Sequence, residues 1–370
     1  MKKTLIALAV LGAAAGVAHA QSNVTIYGIV DTGFIKQTGK DVRMGENVNN
    51  RIGFRGVEDL GSGMKATFEL EKRFDLNDGA LRQSNGANIG NKTTDWDGAA
   101  NVGLKGDAWG AVRLGRVNEL STETIRKMDP FYQYGVGGMI ESTQRDARIS
   151  NTVRYDSPNW SGFHFGASYS LGGNTKNATG VMGEVVAAGA DNDGYALSLG
   201  YDNGPLSLVG NWNRAADSNK SYNWNLGAAY KFGPARVSLA YEQTKDKGWN
   251  LGDRALIEID GNDYGISSTQ KNWLLGLEWT LGPGRLNASV NYSKLSGATI
   301  TDLDNGDIMG SDESSHAWKY NLGYTYNMSK RTSLYGIVSY TKYSDGMGEF
   351  AGAGDRDNVT GVQVGITHKF

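Results

Sequence analysis

Hydrophobic and polar residues alternate with period two along most of this chain. Val24, Ile26, Gly28 and Val30 interleave with Thr25, Tyr27, Ile29 and Asp31, which predicts a strand near 22–36. The pattern sharpens downstream. Over 222–232, Tyr222, Trp224, Leu226, Ala228, Tyr230 and Phe232 share one face, and Asn223, Asn225, Gly227, Ala229 and Lys231 share the other. Over 273–281, Trp273, Leu275, Leu277, Trp279 and Leu281 oppose Leu274, Gly276, Glu278 and Thr280. Over 318–326, Trp318, Tyr320, Leu322, Tyr324 and Tyr326 oppose Lys319, Asn321, Gly323 and Thr325. The chain ends in the same rhythm, from Val362 to Phe370.

The connections alternate short and long. Short ones carry turn chemistry at 58–63, 106–110, 157–162, 202–205, 232–234, 282–284 and 327–331. Long ones run roughly over 37–49, 75–97, 117–148, 171–190, 214–221, 246–271, 297–315 and 345–356. Seven short turns and eight long loops join sixteen strands. The apolar faces are large and aromatic, with rings gathered near strand ends. We therefore expect an all-β fold: a transmembrane antiparallel β-barrel of 16 strands, apolar outward and polar inward, with short periplasmic turns and long external loops. The alternatives are a soluble sandwich or a propeller. A propeller would repeat about every forty residues, and no such repeat is visible; a sandwich would bury the Trp and Tyr face rather than band it.

The first residues change the picture by adding export. Met1-Lys2-Lys3 precedes a short apolar run, Leu5 to Gly12, and an A-x-A end at Ala18-His19-Ala20, which predicts a signal peptide over 1–20 and a barrel domain over 21–370. No later segment holds eighteen consecutive apolar residues, so no other helix is expected to span a bilayer. The chain has no cysteine, which excludes disulfides and thiolate metal sites. Removing Lys2 and Lys3 from the 37 basic residues leaves 35 against 39 acidic, a net charge of −4. That balance argues against nucleic acid as a partner. The mean hydropathy of −0.43 does not argue against a membrane barrel, which needs apolar residues only at alternate positions.

Several stretches resemble the general porins of β-proteobacteria, the family of neisserial and comamonad porins. They are Val24 to Gly28, Arg51-Ile52-Gly53-Phe54-Arg55-Gly56-Val57-Glu58-Asp59-Leu60-Gly61, Val112 to Arg116, Val153 to Pro158 and Gly361 to Phe370. They run from the first strand to the last. The resemblance implies a homotrimer in the outer membrane, in contact with its lipid and lipopolysaccharide. It implies a third external loop folded into each pore, and a terminal Phe370 that serves as an assembly signal for the barrel-assembly machinery. The expected function is a general diffusion channel for ions and small hydrophilic solutes, with no enzymatic activity and no cofactor. A substrate-specific channel, a barrel enzyme and a surface adhesin are the alternatives.

Strand parity selects the wall of such a channel. Outward Ile52 and Phe54 turn Arg51, Gly53 and Arg55 inward; outward Met64, Ala66, Phe68 and Leu70 turn Lys65, Glu69, Glu71 and Arg73 inward. Likewise Val112 and Leu114 leave Arg113 inside, and Val153 and Tyr155 leave Arg154 and Asp156 inside, with Arg148 on the same parity. A charge facing lipid at midplane costs about 2–4 kcal/mol, which favours these assignments. By resemblance, Arg51 and Arg148 match an arginine cluster at the constriction, while the third arginine expected of that cluster is absent from Ala99 to Leu104. Arg73 and Arg113 face the same lumen, and the four are expected at its upper or middle level. Across the pore the third loop, 117–148, supplies Glu119, Glu123, Asp129 and Glu141, together with Arg126, Lys127 and Arg145. Four wall arginines against loop acids that are partly neutralised within the loop predict mild anion preference. His164, His316 and His368 are too scattered for a metal site, and no Ser-His-Asp arrangement stands out.

Overall fold

The computed structural model describes residues 23–81, 96–140, 148–171, 193–215, 221–247, 257–259, 262–302, 308–344, 347 and 356–370. The predicted leader lies outside them. One sheet contains every strand. In chain order these are β1 (Asn23–Gln37), β2 (Arg43–Gly45), β3 (Arg51–Gly61), β4 (Met64–Arg73), β5 (Ala100–Gly106), β6 (Gly110–Asn118) and β7 (Arg148–Asp156). There follow β8 (Phe163–Ser170), β9 (Gly194–Asn203), β10 (Leu206–Arg214), β11 (Tyr222–Phe232), β12 (Ala235–Lys247) and β13 (Ile257–Ile259). The last are β14 (Asn262–Leu281), β15 (Gly284–Asp302), β16 (Ile308–Asn327), β17 (Thr332–Ser344) and β18 (Asn358–Lys369). A short helix, α1 (Leu120–Ile125), follows β6.

Apart from the three-residue pieces β2 and β13, sixteen strands pair antiparallel with their neighbours and close into a ring. Closure falls on β1, whose lower half, Asn23–Ile29, pairs with β3 and whose upper half, Ile29–Gln37, pairs with β18. The terminal Phe370 completes this seam: its amide donates to Gly28 O and its carbonyl accepts from Gly28 N, both at 3.1 Å. Its ring lies over Gly28, where a Cβ would stand 2.3 Å from the Phe370 Cζ. Only glycine leaves that space.

The predicted strands at 222–232 and the seven predicted turns fall where the alternation placed them. Two predicted loops are shorter than expected. Over 246–271 the chain re-enters the sheet at Asn262, and over 297–315 β15 runs to Asp302 and β16 begins at Ile308. Runs such as Gly297-Ala298-Thr299-Ile300-Thr301 are β-formers that lack strong apolar alternation. They continue the ladder above the lipid zone, where pairing no longer needs an apolar face.

Outward positions carry large exposed apolar groups: Leu199 is 59% accessible, Leu226 54% and Leu322 54%. Such a surface anchors a barrel in hydrocarbon. Rings touch across successive strands at one level, Trp224 to Tyr241 to Trp273 to Tyr292 to Trp318, with centroids 4.8–5.3 Å apart. A second group, Phe163 with Tyr201 and Tyr230 with Phe232, sits beside the periplasmic turns. These are the two interfacial belts of a membrane barrel. The outer face from β17 through β18 and β1 to β3 is mainly aliphatic instead, with Leu334, Val338, Val362, Val364, Ile366, Val24 and Ile26.

Candidate functional site

The chain leaves β6 at Asn118 and turns into the barrel. Glu119 caps α1, accepting from Thr122 N at 2.8 Å and from the Ser121 hydroxyl, and its side chain is buried. From there the loop lies along the inner wall and crosses strand after strand. Thr124 meets Asn211 of β10, Met128 O accepts from Ser238 of β12 at 2.6 Å, and Lys319 of β16 donates to Gly138 O. Gln363 of β18 accepts from Val136 N at 3.0 Å, and Asn291 of β15 from Ile140 N at 2.7 Å. All these wall residues lie on inward positions, so the loop occupies the lumen, as the resemblance implied.

Apolar contacts hold it there. Ile125, Met128 and Met139 pack on Ala229, Ala240 and Leu274, and Phe131 and Val136 pack on Ile35, Tyr335 and Ile337. Burial of such side chains contributes about 1.5–3 kcal/mol each. The inward apolar residues Leu274 and Ile337, which break the polar-inside rule, are thereby explained: they face protein, not water. At several crossings the wall has no side chain, Gly276 and Gly323 among them. A Cβ on Gly276 would stand 2.6 Å from Pro130, and one on Gly323 would stand 2.9 Å from Phe131.

Asp129 holds the tip of the loop together. Its carboxylate accepts from the amides of Phe131 (3.0 Å), Gln133 (2.8 Å) and Met139 (2.8 Å). Burial pushes this carboxyl above its ordinary range, although the three amides and the charge of Lys319 favour the anion. The amides bracket two left-handed residues, Tyr132 (φ 54°) and Gln133 (φ 61°), a conformation that costs non-glycine residues about 1–2 kcal/mol each. The hydrogen bonds offset that strain and aim Tyr134 away from the docked wall.

Tyr134 points at arginines. Arg51 of β3 and Arg73 of β4 are direct cross-strand partners, a like-charge pair that opposes pairing unless an anion intervenes. Glu71 supplies it, lying 3.7 Å from Arg51, 3.1 Å from Arg73 and 3.7 Å from Arg148 of β7. Three guanidinium groups thus share one carboxylate. A second cluster lies towards the periplasmic turns. Arg113 and Arg154 are again cross-strand partners; Asp156 pairs with Arg113 at 2.6 Å and with Arg154 at 2.7 Å, and Glu123 of the loop reaches Arg154 at 2.7 Å. Here two cations meet two anions.

Of the predicted wall residues, then, Arg51, Arg73 and Arg148 come together. Arg113 does not join them: it stands with Arg154, three residues above the turn that ends at Gly110, because its neighbour across the ladder carries Asp156. Of the predicted loop acids, Glu123 faces the balanced cluster, whereas Glu119 and Asp129 turn into the loop's own backbone. Glu141 lies outside the described residues. Arg55 stacks on Tyr27, whose hydroxyl donates to Glu69 at 2.9 Å.

Sequence reasoning offered Glu71, with Glu69 and Asp31, only as the alternative reading of the wall arginines as charge-paired residues, and assigned Tyr134 no role. The juxtaposition of arginines at 51 and 73 around an inward acid was a usable signal for Glu71. Tyr134 had none, since loop backbone geometry decides where it points.

The profile of the Gram-negative porin family matches residues 7–346. An outer membrane porin protein of Bordetella pertussis is 31% identical, and outer membrane porin protein 32 of Delftia acidovorans is 33% identical, each alignment covering 100% of both chains. Among solved structures, an anion-selective porin from Comamonas acidovorans superposes with a TM-score of 0.68 at 27% identity, covering 94% of this chain and 100% of that one.

Proposed function

The chain belongs to the Gram-negative porin family, and on that premise we infer how its lumen works. It is an outer-membrane β-barrel and a general diffusion channel, in which solutes move down their own gradients past a constriction. The observation that carries this reading is the third loop, docked on the inner wall from β10 to β18 and facing an arginine cluster on β3, β4 and β7. A pore so built selects by size and by field, and no bond-making step enters this reading.

The field favours mild anion preference. The upper cluster gathers three guanidinium groups around Glu71, with Asp97 beside Arg73, while the lower pairs two cations with two anions. Distant external acids, which give the mature chain its negative sum, are screened over about 8–10 Å. The solved relative named anion-selective is consistent with this sign. Reversal potentials of single channels across a potassium chloride gradient are expected to report chloride as the more permeant ion. Cation preference would reject the reading.

Three barrels per assembly are proposed, supported by the aliphatic outer face around the β1–β18 seam, which has few of the rings that suit a lipid interface. Cross-linking of detergent-extracted protein should trap a trimer; a monomer at all cross-linker doses would count against it. Residues 1–20 are proposed as the cleaved leader, with Gln21 as the mature N-terminus to be read by terminal sequencing. Phe370 is proposed as an assembly signal: its deletion should reduce folded, heat-modifiable protein while the surviving channels conduct normally.

A further inference from the structure

We propose that Tyr134 is the specificity-determining residue on the loop side of the constriction: it offers Arg51 and Arg73 an uncharged hydroxyl where a loop acid would cancel them, and so leaves the field of the arginine wall available to the permeating ion. This rests on the anion-preferring reading above and names the residue that makes it possible.

Four observations carry it. The described loop acids are otherwise engaged, Glu119 and Asp129 with loop backbone and Glu123 with Arg154. The Tyr134 hydroxyl lies within the field of Arg51 and Arg73. The Arg126 guanidinium sits over the Tyr134 ring, 5.3 Å from its centroid, and donates to Gln133 Oε1 at 3.4 Å, which fixes the ring from the loop side. Finally, the left-handed pair Tyr132 and Gln133, stapled by Asp129, leaves the half-buried Tyr134 little freedom to swing away. Asp129 is in this sense a positioning residue.

The charged groups around Tyr134 are accounted for from each element. Arg126 comes from its own loop, Arg51 from β3, and Arg73 from β4; Glu71 of β4 and Arg148 of β7 stand behind them. Arg43, Glu46 and Asp75 line a neighbouring cavity that reaches Gly135 and Val136. Burial raises the Tyr134 phenol, but the charges of Arg126, Arg51 and Arg73 overturn that and hold it below its ordinary value. The direction has a consequence. At neutral pH the hydroxyl is uncharged; as pH rises towards the ordinary tyrosine range of about 10, a phenolate forms beside the arginines.

The test is the reversal potential of single channels in a potassium chloride gradient at stepped pH, for the natural chain, Tyr134→Phe and Tyr134→Glu. The natural channel should lose anion preference on the alkaline side, at a pH below that of an ordinary phenol. Tyr134→Phe should lack that step, and Tyr134→Glu should cut the chloride-to-potassium permeability ratio by about tenfold at neutral pH, as a unit charge a few ångströms from the ion path implies. An alkaline step that persists unchanged in Tyr134→Phe, or a Tyr134→Glu ratio equal to that of the natural chain, would overturn the role of Tyr134. The neutral-pH sign of the natural channel judges the anion-preferring reading separately. Folding of each variant is checked by heat modifiability, and Tyr134→Phe changes no volume that packing would notice.

Discussion

The two halves of the inner wall are built from different chemistry. From β3 to β7 the inward positions hold Arg51, Arg55, Glu69, Glu71, Arg73, Arg113, Arg154 and Asp156. From β9 to β18 the middle of the wall is amides and hydroxyls: Ser198, Asn211, Asn223, Asn225, Ser238, Asn272, Ser289, Asn291, Asn321 and Ser339, all buried. They bond to one another across strands, Asn211 to Asn225 at 2.6 Å and Asn321 to Ser289 at 3.0 Å, and Asn223 and Asn272 donate to the buried carboxylate of Glu242 at 3.0 and 3.3 Å. Charges on this side are either committed, as Lys319 is to Gly138 O, or displaced to the periplasmic rim, where Arg236 and Arg285 flank Glu278. The difference follows from what each half touches. The second half lies under the loop, out of water, where neutral groups satisfy one another cheaply and an unpaired charge does not. The first half holds its charges in ion-paired clusters, with Arg51 the most accessible of the upper arginines, and there cations exceed the carboxylate they share.

A charge introduced beneath the loop should therefore do the most damage. Asn225 is fully buried, accepts from Asn211 and donates to Asn223 Oδ1. Asn225→Asp removes that donor and buries an anion, at an expected cost of about 3–5 kcal/mol. Loop docking should weaken and current noise should rise, read out by a lower temperature for the heat-modified band and by single-channel recording. A variant as stable and as quiet as the natural chain would show that the docked wall is wet.

The docking itself is the next target. Gly276→Val places methyl groups where Pro130 lies, and overpacking of this kind costs about 1–3 kcal/mol. The loop should shift towards the arginines and conductance should fall, while the barrel itself stays folded. Conductance at the natural value would mean that Pro130 yields without moving the constriction.

Much of this was legible in the chain. Strand parity put Arg51, Arg73, Arg113, Arg154, Glu69 and Glu71 on the inner face, because a one-residue error would have driven charges into lipid. The same parity put Leu274 on that face without explaining it; its partners Ile125 and Met128 are more than a hundred residues away in sequence, and only the fold brings them together. Levels along the pore were harder. Arg113 and Arg51 look alike in sequence, yet cross-strand register assigns one to a balanced cluster and the other to an excess of cations. Loop acids were least legible of all, since Asp129 and Glu119 serve backbone amides that no periodicity reveals.

That contrast between the two arginine clusters gives a smaller prediction. Arg113→Gln leaves Asp156 paired with Arg154, in a cluster where charges already balance. The chloride-to-potassium ratio should change by less than about twofold, the scale of a screened, partly compensated charge. A shift as large as that of an upper-cluster change would mean that the lower cluster also filters.

The reversal potential of the double variant Arg51→Ser/Arg148→Ser bears most directly on the wall. These residues share Glu71 with Arg73, so their joint removal leaves Arg73 beside Glu71 and Asp97 and erases the positive excess. If the uncompensated arginines set the preference, the reversal potential in a potassium chloride gradient moves towards that of potassium, and conductance rises slightly as two bulky side chains leave. A reversal potential identical to that of the natural channel would contradict an arginine wall as the filter.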